Sequence, residues 1–186
     1  MPPSDTRARF AVAAAAGLAA VVVAVGLAIA LFGGEPRSAE TKPPAGFIVA
    51  ALENATPAEE PFAGLTEVQL AVGGSCLRLV AADVVDERVQ GLRGRSDLGP
   101  YDGMLFVFDE PTASSFTMRG VPVPLDIGWY DARGFLIERT AMEPCPDDLE
   151  DCPAYSPGSR YRFALETLGD ELPGGALGSC SAWRRS

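Results

Sequence analysis

The sequence contains no histidine, and only four of its 186 residues are cysteine. The first absence removes the side chain that most often serves as a general base near neutral pH and the commonest metal ligand. The cysteines are Cys76, Cys145, Cys152 and Cys180. Two neighbouring cysteines without histidine do not complete a tetrahedral zinc site, and a catalytic thiolate would lack its usual activator. Positive charge is also scarce: 15 Lys and Arg against 25 Asp and Glu give a formal net charge of −10. That balance opposes nucleic acid and anionic membrane surfaces as partners. No internal repeat is present, and the composition calls for no cofactor.

What is present begins with a long apolar run. Phe10 to Phe32 carries no charged or strongly polar side chain, and a helix of that length would span about 35 Å, enough to cross a bilayer. Arg7 and Arg9 precede it, and basic flanks stay on the cytoplasmic side. The expected order is a cytoplasmic N-terminus over 1–9, a transmembrane anchor over 10–32, and an extracytoplasmic remainder, periplasmic or extracellular, held at the cell membrane. The competing reading is a signal peptide cleaved after Ala28 or Ala30; the apolar cores of such peptides run only about 7–15 residues. Residues 33–65 are rich in Pro, Ala, Gly, Glu and Thr and are expected to form a flexible extracytoplasmic linker, with Phe47 to Leu52 as a loosely packed apolar patch.

Residues 66–186 read as one β-rich globular domain. Val68, Leu70 and Val72 alternate with polar or small residues, and Gly73-Gly74 supplies a tight turn into Cys76 to Val80, which predicts a hairpin. Asp83 with Asp86 resembles a helix N-cap, and Val85, Val89 and Leu92 share one helical face before Gly91 and Gly94 stop the helix. Met104 to Phe108 is a five-residue apolar run bounded by Gly103 and by Asp109-Glu110-Pro111, the length and punctuation of a strand covered on both faces. Leu125 to Tyr130 and Phe135 to Thr140 form a second predicted hairpin around Asp131-Ala-Arg-Gly134. Ser115 to Arg119, Tyr161 to Glu166 and Ser179 to Arg184 complete the predicted strands. The expected fold is mostly β, a compact β-sandwich or barrel-like sheet with one short helix.

Several of these pieces together resemble the family catalogued as domain of unknown function 192. The matching residues are Gly91-Leu92 with Arg95 and Leu98, Gly103 to Phe108, Phe116 with Met118-Arg119, Pro124-Leu125-Asp126-Ile127, and Leu165-Glu166. They occur in the family's order and spacing and cover about Val68 to Arg184. The resemblance implies a small β-rich fold, often exported or anchored, and no established activity. This sequence departs from the family pattern at Thr117, where Trp is usual, and at Gly120, where Asn is usual; a site lined by those side chains in relatives would be altered here.

Three polar residues stand out within the matching elements. Strand alternation places Asp126 opposite Leu125, Ile127 and Trp129, and Glu166 opposite Tyr161, Phe163 and Leu165. If the strands are neighbours, the two carboxylates and Arg95, in its glycine-rich loop, could share a cleft. That trio suits a structural ion pair, polar ligand binding or acid/base chemistry. Cys145 and Cys152 bracket Pro-Asp-Asp-Leu-Glu-Asp, so a short disulfide loop with a solvated acidic rim competes with a cation site on Asp147, Asp148, Glu150 and Asp151. The spacing fits no calcium loop, and no metal is expected. Cys76 and Cys180 fall near the two ends of the domain, which commonly approach one another, although four cysteines allow three connectivities. Phe106, Phe108, Phe116, Met118 and Trp129 read as core at strand spacing and, alternatively, as an aromatic platform for a ligand.

These features fit a membrane-tethered binding or accessory module at the cell envelope, with a glycan, a small ligand or a protein as partner. The alternatives are a hydrolase of envelope glycans using Asp126 and Glu166, and a structural partner of another envelope protein. Two catalytic carboxyl groups would have to lie roughly 5–10 Å apart across an open cleft. A structural partner would expose a sizeable apolar patch.

Overall fold

Eight strands of the protein pair into one sheet among the residues that the computed structural model describes, 45–146 and 151–180. The elements in chain order are α1 (Ala45–Glu53), β1 (Thr56–Pro57), β2 (Thr66–Val72), β3 (Ser75–Ala82), α2 (Val85–Gln90), β4 (Gly103–Thr112), β5 (Phe116–Thr117), β6 (Leu125–Tyr130), β7 (Leu136–Met142), β8 (Ala154–Tyr155), β9 (Tyr161–Leu168) and β10 (Leu177–Gly178). The sheet order is β1-β2-β3-β4-β9-β6-β7, with β10 also on β2, while β5 and β8 form a separate two-stranded ribbon. A mostly β fold is what the alternation predicts. The expected β-sandwich or barrel-like sheet is instead one eight-stranded sheet with a separate two-stranded ribbon, and residues from helices and loops complete the cores on its two faces.

Both hairpins form where the turn residues place them. β2 and β3 meet across Gly73-Gly74 with Val72 opposite Ser75, and β6 and β7 meet across the Asp131 turn, whose carboxylate accepts from the backbone N–H of Arg133 and Phe135. β3 and β4 run parallel, so the chain between them must cross over the sheet, and α2 lies in that crossover.

The strand that opens at Gly103 is central, flanked by β3 and β9, and Gly103 to Val107 are all buried. Its two faces serve two cores. Val80, Met104, Phe106, Ile127 and Trp129 pack with Phe62, Leu92, Leu98 and Met118 on one face. Leu79, Leu105, Phe163 and Leu165 pack with Ile48, Leu172 and Leu177 on the other. A sheet buried on both sides loses the apolar–polar alternation that marks a half-exposed one.

Two expectations change here. Residues 45–65 do not behave as a linker: α1 places Ile48 fully buried in the second core, and Phe62 is buried in the first. The apolar Phe47 to Leu52 patch therefore docks on the domain, which makes two short helices rather than one. Residues 181–186, which include the last four of the expected strand Ser179 to Arg184, lie outside the described residues, as do 1–9, the Phe10 to Phe32 span and most of the acidic Cys145–Cys152 loop. Among the described residues no helix is long and apolar enough to cross a membrane.

The cysteines pair as Cys76 with Cys180 and Cys145 with Cys152, with Cα–Cα distances of 5.4 and 5.8 Å. The first joins β3 to the segment after β10; the second ties the loop after β7 to the approach of β8.

Candidate functional site

The pairing register decides which polar side chains can meet. Residues directly opposite across neighbouring strands share a face. Glu166 stands opposite Met104 on β4 and Ile127 on β6, and Met104 stands opposite Val80 on β3. One row of the first core is thus Val80, Met104, Glu166 and Ile127, three apolar side chains and one acid. Asp126 stands opposite Thr167, one residue along both strands and therefore on the other face of the sheet.

That register separates the expected trio. Asp126 and Glu166 leave opposite faces of the sheet, so they form no carboxylate pair. Arg95 lies over the ring of Phe62, its guanidinium carbon 4.2 Å from the centroid, and no ion pair joins it to either acid among the described residues. A structural ion pair lies elsewhere. The Arg78 guanidinium donates twice to Glu67, at 2.8 and 2.6 Å, and holds the Glu67 carboxyl below its ordinary value. The Tyr101 hydroxyl donates to the same carboxylate at 3.2 Å.

Glu166 is nevertheless the centre of a candidate site. It is 5 % exposed and lies on the wall of a cleft of about 460 Å³, well within the range of small-molecule sites. Around it the cleft is apolar, with Leu92, Phe106, Phe116 and Val121. No hydrogen bond or ion pair engages the Glu166 carboxyl among the described residues. Burial without a partner disfavours the charged form, and the carboxyl is pushed up to about 8. Near neutral pH it is a neutral acid, able to donate one hydrogen bond and accept others.

Two elements wall the cleft beside that carboxyl. α2 forms one wall, its N-terminus held by the Glu87 carboxylate, which accepts from the N–H of Asp83 at 3.1 Å and of Val84 at 3.4 Å. The cap residue is Val84 rather than Asp83. Arg88 anchors this helix to the sheet: it donates to the carbonyl oxygens of Asp83 and, at 2.8 Å, of Val107, and stacks 5.0 Å from the Phe108 ring centroid. Val85 and Val89 line the cleft and are 64 % and 61 % exposed, while Leu92, placed by helical periodicity on the same face, is buried.

The opposite wall is β5. Phe116 meets Phe106 edge-on with centroids 5.0 Å apart, and β5 is backed by β8 through Phe116 opposite Tyr155 and Thr117 opposite Ala154. Ser114 is fixed by the Tyr161 hydroxyl, which donates to its carbonyl oxygen at 2.7 Å. The aromatic residues are thus core and platform together: Phe106, Phe108 and Phe116 line the cleft, while Trp129 and Met118 are buried behind it.

Sequence reasoning singled out Glu166, the phenylalanines around it and Thr117, but not the arginines. Arg88 and Arg93 line the cleft, and nothing in their local pattern distinguishes them from solvated surface residues. No cluster of metal-binding side chains occurs among the described residues. Of the acidic loop, 147–150 lie outside the described residues, so the cation site suggested there, on Asp147, Asp148, Glu150 and Asp151, is not described.

Fold and site define a small sheet-based domain with an apolar cleft closed over a single buried carboxyl. The chain belongs to the DUF192 family, described as an uncharacterised ACR, whose sequence pattern matches residues 68–174. A crystal structure of a protein of unknown function from Novosphingobium aromaticivorans DSM 12444 is 27% identical, covering 68% of this chain and 95% of that chain with a TM-score of 0.55. A candidate transcription regulator from Sinorhizobium meliloti 1021 is 24% identical over 60% of this chain and 90% of that one, with a TM-score of 0.48. No curated protein matches.

Both departures from the family pattern now have a place. Thr117 lines the cleft, so a large side chain there would occupy the space. Gly120 has φ 72°, the left-handed region where Asn is the most tolerated alternative to Gly, so Gly for Asn keeps the same turn.

Proposed function

We propose that this domain is a binding module and that its ligand is a small, partly apolar molecule held in the cleft over Glu166. The observation that carries this reading is the buried carboxyl on an apolar cleft wall with no protein partner among the described residues. Buried polar groups are almost always hydrogen-bonded, and one left open towards a cleft is open to a ligand. The glycan hydrolase reading loses its second carboxylate, because Asp126 leaves the other face of the sheet.

The test uses a neutral fluorescent probe, N-phenylnaphthylamine, with the folded protein. Saturable binding is expected, and Thr117→Trp, which fills the cleft from an exposed position, should abolish it while leaving the melting transition unchanged. Equal binding by wild type and Thr117→Trp would reject the cleft as the site.

We further propose that the module is held outside the cytoplasm at the cell envelope. The uncharged Phe10 to Phe32 run behind Arg7 and Arg9 supports this, as do two disulfides, which persist in oxidising compartments. A reporter active only outside the cytoplasm, fused after Ser186, should be active and remain with washed membranes. An inactive but expressed fusion would refute the export.

A further inference from the structure

The charges around the cleft specify more than its apolar wall does. The charged residues that line it are Arg88, Arg93 and Glu166. Glu166 is the buried one and stands in a row of apolar neighbours; Arg93 is exposed. Neither arginine is ion-paired with an acid among the described residues. Arg88 is held in place through one guanidinium nitrogen, which serves the two backbone carbonyls of Asp83 and Val107, and this leaves its other N–H groups for a further acceptor. The whole chain carries a formal charge of −10, so two uncompensated guanidinium groups on one small cleft run against the overall balance.

Resting on the binding reading above, we infer that the ligand is an amphiphilic organic anion. Its aromatic or aliphatic body packs against Phe106, Phe116 and Val121, which line the cleft, a carbonyl or ether oxygen accepts from Glu166, and its carboxylate, sulfonate or phosphate sits against Arg88 and Arg93. Guanidinium groups match the oxygens of such anions with paired N–H donors. An organic cation would have to lodge beside the same two charges. The cleft's volume of about 460 Å³ accommodates a free small molecule, not a bilayer surface.

The experiment compares three probes of similar body on the full chain: anilinonaphthalene sulfonate, neutral N-phenylnaphthylamine, and a naphthyl probe bearing a trimethylammonium group. The sulfonate should bind tightest, and its affinity should fall as salt is raised while that of the neutral probe does not. Arg93→Gln, at an exposed position, should weaken the sulfonate about five- to tenfold at low salt and leave the neutral probe unchanged. Thr117→Trp should abolish both, which assigns the signal to the cleft. Equal affinities for all three probes without salt dependence, or a preference for the cation, would overturn the anion and leave the binding module standing. Absence of binding by every probe would overturn both readings.

Discussion

Gly103 lies against the backbone of Glu166, so closely that a Cβ at Gly103 would overlap the Glu166 carbonyl oxygen and reach the Thr167 methyl at 3.1 Å. The first residue of the central strand must therefore be glycine for β9 to approach and present Glu166 to the cleft. In most strands Gly to Ala is stabilising, because the unfolded chain loses freedom. Here Gly103→Ala is expected to lower stability by about 1–3 kcal/mol, the cost of overpacking. Equal or higher stability in urea titration would show that β9 yields there.

The buried carboxyl makes stability fall as pH rises. Glu166 is raised by burial from 4.5 to about 8, so between those values the folded state holds a proton that the unfolded state has released. Its contribution is full below about 4.5, declines by up to about 1.4 kcal/mol per pH unit through that window, and is lost above about 8. Glu67 and Asp131 are lowered, by the Arg78 hydrogen bonds in the first case and by backbone and Arg133 donors that outweigh burial in the second. Their stabilisation is instead lost in acid, below the window. Urea titrations from about pH 5 to 8 should slope downwards for wild type, and Glu166→Gln should remove most of that slope. Parallel profiles for the two proteins would refute the assignment.

Phe106 is 2 % exposed and belongs to the first core. Phe106→Ala should cost about 3–5 kcal/mol through lost transfer energy and a cavity, close to the whole stability of a small domain. A loss under about 1 kcal/mol would mean that Gly103 to Phe108 is not the centre of the packing.

The two disulfides differ in the loop they close. A sequence separation of 104 for Cys76–Cys180 corresponds to about 4–5 kcal/mol in the chain-entropy picture, and a separation of 7 for Cys145–Cys152 to about 2–3 kcal/mol. Serine replacement of each pair, followed by chemical denaturation, should reproduce that order. Loss of the short loop should also weaken probe binding, because Cys152 lies just before β8, which backs the Phe116 wall. Loss of Cys76–Cys180 should not, provided the domain is kept below its melting temperature.

Local chemistry determined much of this protein. Gly73-Gly74 and the Asp131 turn set two hairpins, the apolar Met104 to Phe108 run marked the central strand, and five short elements in register identified the family. Turns and apolar runs act over a few residues, so they are readable in the chain. The faces of β6 and β9 were not, because alternation marks a face only when the other meets water, and this sheet is buried on both. Only the register could place Glu166 with Ile127 and Asp126 with Thr167, separating the two acids. Tertiary structure likewise decided that Arg95 stacks on Phe62, that Arg78 and Glu67 form the ion pair, and that α1 is docked through Ile48. The Arg95 and Ile48 contacts join residues distant along the chain and are fixed by the packing of the sheet's two faces, while the Arg78–Glu67 pair depends on the pairing register of one hairpin; no local pattern shows any of them.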